Sequence, residues 1–143
     1  MEARLTALEA ATKALSRRDR SAADLAAYLE RKGTDPDEAR AAVDRLRDAG
    51  YVNDERYAAA RAEGLAGRGY GDEAVRFELE REGLAADQIA AALLALPPER
   101  ERATAFLLKA RTPLAGLRRL AAKGFSADAL EAAVVAARVD LGA

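Results

Sequence analysis

The residues best placed for chemistry in this chain are cations that recur at one place in a repeat. Arg18, Arg68 and Lys109 each stand fifteen residues before a glycine, at Gly33, Gly83 and Gly124. Arg17 and Arg20 flank the first of these, Arg111 follows the third, and Arg118, Arg119 and Lys123 add charge just before Gly124. Guanidinium and ammonium groups gathered in this way can meet an acidic protein surface or the phosphates of a nucleic acid. The bland alternative is a set of solvated helix ends, where Lys and Arg complement the C-terminal dipole.

Other candidate chemistries fare worse. The chain has no Cys and no His, so the usual zinc and haem ligands are missing. A Ser–His or Cys–His nucleophile pair cannot be built. Asp35, Asp37 and Glu38 form an acidic cluster, but it reads as the first turn of a helix and lacks the spacing of a calcium loop. Glu78, Glu80 and Glu82 alternate with Phe77, Leu79 and Arg81. They read as spread around a solvated helix rather than as a catalytic pair. GRGYG at 67–71 lacks the Lys-Ser/Thr of a phosphate loop, so it reads as a turn with Tyr70 beneath it. In AGYVNDERYA, Tyr51 and Tyr57 can offer aromatic contacts; the structural reading packs Tyr51 under the turn, lets Asn53 or Asp54 cap a helix and sends Tyr57 to the core. A binding or regulatory role, without cofactor, metal or small-molecule substrate, is the expectation.

The elements that must position these cations are helices. Of 143 residues, 38 are Ala, whereas aromatic residues make up 5%. Ala is the strongest helix former, and the residues that favour strands are scarce. Arg outnumbers Lys 19 to 4, a bias as compatible with GC-rich coding as with nucleic-acid chemistry. Net charge is −1, unevenly laid out: residues 51–100 carry 6 positive and 10 negative side chains, and residues 101–143 carry 7 and 4. No apolar run reaches the roughly 18–20 residues of a membrane-spanning helix, and MEARLTALEA does not resemble a signal peptide. A cytoplasmic protein is expected.

The repeat sets the organisation. Four residues before each glycine stands Leu29, Leu79 or Leu120; eighteen before stands Leu15, Leu65 or Phe106. Six after stands Ala39, Ile89 or Leu130, and ten after stands Val43, Leu93 or Val134. Each unit reads as three helices. The first covers about 3–17, 54–66 or 99–110. The second starts near Ser21, Gly71 or Thr112. The glycine is its left-handed C-cap, and the third begins near Asp35, Ala86 or Ser126. Pro36 and Pro113 fit the first helical position, and Pro97-Pro98 makes a hard break. The spacing thus predicts an all-α array of about nine helices, with units at 1–49, 50–96 and 97–143, packed together without flexible linkers.

Three stretches resemble the RecX family of RecA regulators. They are RRDRSAADLAAYLERKGTDPDEARAAVDRLRDAGYVNDERYA (17–58), RGYGDEAVRFELEREGL (68–84) and KGFSADALEAAV (123–134). The resemblance implies an elongated, curved, monomeric array that binds the RecA filament on DNA and inhibits its ATPase and strand exchange, ATP being the partner's cofactor. It implies filament contacts at Arg17, Arg18, Arg20, Arg68, Lys109, Arg111, Arg118, Arg119 and Lys123. Two positions depart from the family pattern. Thr34 follows Gly33 where an aromatic or aliphatic residue is usual. Gly116 takes the slot of Leu25 and Val75, which should loosen that helix, with Leu117 compensating. The alternative is a DNA-binding protein of helix-turn-helix type, against which the acidic middle third counts. Weak direct DNA contact is compatible with both.

Overall fold

The computed structural model describes residues 5–140. Among them the chain forms nine helices and no strands: α1 (Ala7–Arg17), α2 (Ala22–Arg31), α3 (Pro36–Asp48), α4 (Asp54–Gly67), α5 (Asp72–Arg81), α6 (Ala86–Leu94), α7 (Glu99–Leu108), α8 (Pro113–Ala122) and α9 (Ala127–Asp140). Local chemistry sets most of their ends. Thr6, Ser21, Asp35, Asn53 and Thr112 are side-chain N-caps, each satisfying an amide that the helix leaves without a partner. Pro36 and Pro113 occupy first turns. Gly33, Gly83 and Gly124 have φ of 98°, 81° and 87°, a left-handed conformation that ends α2, α5 and α8 at little steric cost.

Two expected boundaries move. The first helix begins at Ala7 rather than near residue 3, because Thr6 Oγ1 accepts the Glu9 N–H and caps it there; residues 3 and 4 lie outside the described residues. The seventh ends at Leu108, with Lys109 as its C-cap, rather than reaching residue 110.

Every extensive helix–helix contact lies inside one of the triplets α1–α3, α4–α6 and α7–α9. Each triplet closes on its own apolar cluster. Leu25, Leu29, Val43 and Leu46 fill the first, Leu65, Val75, Leu79 and Ile89 the second, and Leu107, Leu120 and Phe125 the third. Alanines line the helix crossings: Ala11 and Ala14 in α1, Ala58 and Ala62 in α4, Ala103 in α7. Small side chains let helix axes approach closely, so long-range packing replaces side-chain bulk. The third helices bury one stripe that the spacing did not predict, at Ala42 and Leu46 in α3, Ala92 in α6 and Ala133 and Ala137 in α9, with Leu96 buried just past the end of α6. In unit three the expected positions Leu130 and Val134 are only half-buried. The three clusters share no residue, so the molecule holds three cores rather than one merged core.

Gly116 does more than loosen α8. A Cβ there would stand 2.7 Å from Ala110 Cβ and 2.8 Å from Leu107 Cδ1, so its missing side chain lets α8 sit against α7. Leu117 packs on the third core as expected.

Candidate functional site: two junctions and their cations

The triplets are joined by two junctions built alike. At the first, the Ala22 N–H at the start of α2 donates to Asp54 Oδ1 at the start of α4 (2.8 Å), and the Ser21 hydroxyl donates to the Glu82 carbonyl (2.7 Å). At the second, the Asp72 N–H at the start of α5 donates to Glu99 Oε2 at the start of α7 (2.8 Å), and the Gly71 N–H donates to the Lys123 carbonyl (2.8 Å). In both, an acidic residue opening one unit caps the second helix of the unit before it, where the helix dipole favours negative charge. Glycines permit the approach. A Cβ on Gly83 would lie 2.4 Å from Ala23 Cβ, and one on Gly124 would lie 2.7 Å from Ala74 Cβ. Gly71 serves as N-cap without a side chain because a Cβ there would stand 2.5 Å from the Gly124 backbone.

Two arginines missed as site residues stand beside these junctions: Arg102 crosses the second, and Arg61 pairs inside the second triplet next to the first. Arg102 is buried; it donates to Asp72 Oδ1 (2.8 Å), the Tyr70 carbonyl (3.1 Å) and the Pro97 carbonyl (3.2 Å). Arg61 donates through Nε to Glu82 Oε2 (3.1 Å) and lies 3.9 Å from Glu78. Both stand twenty-two residues before their unit's glycine, a matched pair that the repeat contained. Tyr57, buried as expected, donates to the Glu82 carboxylate. Burial, then the bond to Glu82 and its charge, push the Tyr57 hydroxyl up to about 12. Desolvation pulls the Arg61 guanidinium down, but the Glu82 bond and charge outweigh it and hold it above its ordinary value.

The expected site residues divide between the second junction and the surfaces of the first and third triplets. Arg20 is buried: its guanidinium bonds Asp24 (2.9 Å) and sits 4.5 Å over the Tyr28 ring, so it offers little to a partner. Arg18 is exposed and 3.5 Å from Asp24. Arg17 lines an open groove of about 420 Å³ with Lys13, Lys32, Tyr28 and Glu38. Arg111 and Arg118 are exposed. Arg68, Lys109, Arg119 and Lys123 come together around one cavity of about 190 Å³ at the second junction, over Phe106, Gly69 and Leu120. The Tyr70 ring lies beneath two of them, 4.5 Å from Lys123 Nζ and 5.6 Å from the Arg68 guanidinium.

Two other readings are corrected. Tyr51 does not pack under its turn: it is 66% exposed. Val52 fills the space beneath instead, and Arg56 holds the turn by donating to the Gly50 and Tyr51 carbonyls. Glu78 and Glu82 do not spread around a solvated face; four residues apart, they share one side and converge on Arg61. Glu80 alone remains exposed.

An all-helical chain of this build, three helix triplets in tandem, belongs to the class of tandem helical-repeat proteins. Comparison with known proteins specifies which. Models described as RecX, first three-helix domain and RecX, second three-helix domain match residues 7–46 and 53–93. Regulatory protein RecX of Deinococcus radiodurans is 36% identical over an alignment covering 93% of this chain and 69% of the relative. Regulatory protein RecX of Xanthomonas axonopodis pv. citri is 44% identical over 63% of this chain and 56% of the relative, so the chain spans little more than half of that protein. The crystal structure of RecX from Lactobacillus salivarius superposes with a TM-score of 0.82 at 18% identity, covering 93% of this chain and 95% of that one. The chain belongs to the RecX family of regulatory proteins.

Proposed function

We propose that this chain binds the RecA filament on DNA and inhibits its ATP hydrolysis and strand exchange. Family membership over 93% of the chain carries the reading; the junction geometry supports it. Segments 1–49, 50–96 and 97–143 act as three units, each offering cations to a successive part of the filament. Several weak contacts on one body reinforce one another through effective concentration. The junction bonds and close-approach glycines fix the units' relative orientation, so less freedom is lost on binding. A ligand spanning neighbouring protomers alters turnover if it prefers one filament arrangement. RecA hydrolyses ATP between protomers, so no cofactor of this chain's own is required, and the protein acts in the cytoplasm beside its partner.

The contacts assigned are Arg17, Arg18 and Arg68 first, with Lys109, Arg111, Arg118, Arg119 and Lys123 second. Arg20 drops out on account of its burial. The test is RecA's single-strand-dependent ATP hydrolysis with this protein titrated in. Wild type suppresses hydrolysis at near-stoichiometric ratios. The triple variant Arg17→Glu, Arg18→Glu and Arg68→Glu loses at least tenfold in potency with unchanged helicity by circular dichroism. Full inhibition by that variant overturns the contact assignment; no inhibition by wild type overturns the function.

A further inference from the structure

We propose that the groove between α7 and α9 receives α6 of a second copy of this chain, so that copies join head to tail through an apolar contact.

The outer side of α6 is the first support. Ile89 and Ala92 of this helix are buried, yet Ala90, Ala91 and Leu94 face solvent, Leu94 at 86% exposure. Asp87 is its one charged side chain. A helix that is apolar all round is ordinarily buried, and none of the described residues covers this side. The other half lies in the third triplet. Thr104, Ala105 and Leu108 of α7 and Ala132 and Ala136 of α9 line a groove of about 390 Å³. Its floor of small side chains lets a helix approach closely.

The repeat supplies an internal comparison. Counted from the repeat glycines, Leu94 and Val135 hold one position, and Ala95 and Ala136 the next. In unit one these places belong to Asp44 and Arg45, both exposed. The third helix of a unit therefore folds with charge on its outer side, and the apolar version in units two and three serves something else. Gly64 and Gly67 of α4 hold the positions of Ala105 and Leu108. A Cβ on either would meet nothing within 4 Å, so no wall rises beside α6 and Leu94 stands clear. One frame thus builds a ridge in unit two and a groove in unit three.

Length and charge match the two. The α7 lining from Arg100 to Leu108 is about 12 Å long, and the nine residues of α6 span about 13.5 Å. Arg100 lines the groove and Glu63 holds the place of Thr104 on the ridge side. Neither has an ion-pair partner among the described residues, and each supplies the charge the other lacks. Ridge and groove lie on different units, so the contact is heterologous: a pair leaves one of each free and the array extends. A contact two helical turns long falls below the roughly 1,200 Å² of a stable complex, so copies separate on dilution.

This lies outside the filament reading and does not rest on it, because RecA is absent from the test. Sedimentation equilibrium is run over a concentration series on wild type, Leu94→Glu and Leu108→Glu, with circular dichroism confirming helicity. Wild type rises with concentration above the mass of one chain. Each variant binds itself at least tenfold more weakly. An equimolar mixture of the two regains association, since one keeps its groove and the other its ridge, and stops at two chains. Glu63→Arg and Arg100→Glu each weaken association, and the double variant restores it. Three results overturn the proposal: wild type stays at the mass of one chain throughout; either leucine variant associates as wild type does; or the mixture gains nothing over its components, which marks a contact between like faces or a groove meant for another protein's helix.

Discussion

Single side chains at the first junction carry a pH signature. Tyr57 stays protonated in the folded chain up to about 12, from an ordinary value of 10.0, through burial and its bond to Glu82. Between those values the unfolded chain has released this proton and the folded chain has not. The contribution is therefore complete below pH 10 and is lost as pH rises toward 12. Urea unfolding across that window should show stability falling more steeply in wild type than in Tyr57→Phe; parallel curves would remove Tyr57 as the cause. Sequence made part of this site readable. Tyr57 enters the core at helical spacing, and Arg18, Arg68 and Lys109 stand out by position. It did not show that Arg20 turns inward onto Tyr28 or that Tyr51 turns outward, because side-chain direction at a turn depends on which neighbour fills the space. Val52 fills it beneath Tyr51, and Asp24 draws in Arg20.

At the level of elements, caps and glycines made the fold legible. Ser21, Gly71 and Thr112 are the N-caps of α2, α5 and α8, as their offset from the repeat glycine predicts. The buried stripe at Ala42, Ala92 and Ala133 escaped notice because alanine is everywhere in this chain and marks no face by itself. Gly116 was legible as a departure but not as a close approach, which only the neighbouring helix reveals. Glycines inside helices therefore separate into two kinds. Gly64 in α4 has nothing within 4 Å of a Cβ, so Gly64→Ala should stabilise the protein by about 0.5–1 kcal/mol through lower unfolded-state entropy and better propensity. Gly116→Ala should instead destabilise it by about 1–3 kcal/mol, since Leu107 and Ala110 must move. Chemical denaturation of both variants checks the contrast; equal effects would contradict the packing of α8 on α7.

The whole molecule is three small cores tied by two similar junctions, and the relative placement of the units depends on the ties as much as on the cores. The carboxylates of Asp54 and Glu99 each cap a helix of the preceding triplet. Gly83 and Gly124 let backbones meet where any side chain would collide. The repeat glycines were visible in sequence as C-caps; their second duty, contact between units, was not, because it concerns residues about sixty positions apart for Gly83 and fifty for Gly124. A body held in this way presents its cations at fixed separations, which suits a partner that is itself periodic. The most direct test is co-sedimentation with preassembled RecA–single-strand filaments, with free RecA and bare oligonucleotide as separate arms. Binding should saturate on filaments at ratios far above those seen with either component alone. Equal retention by bare DNA, or none by filaments, would contradict a filament regulator.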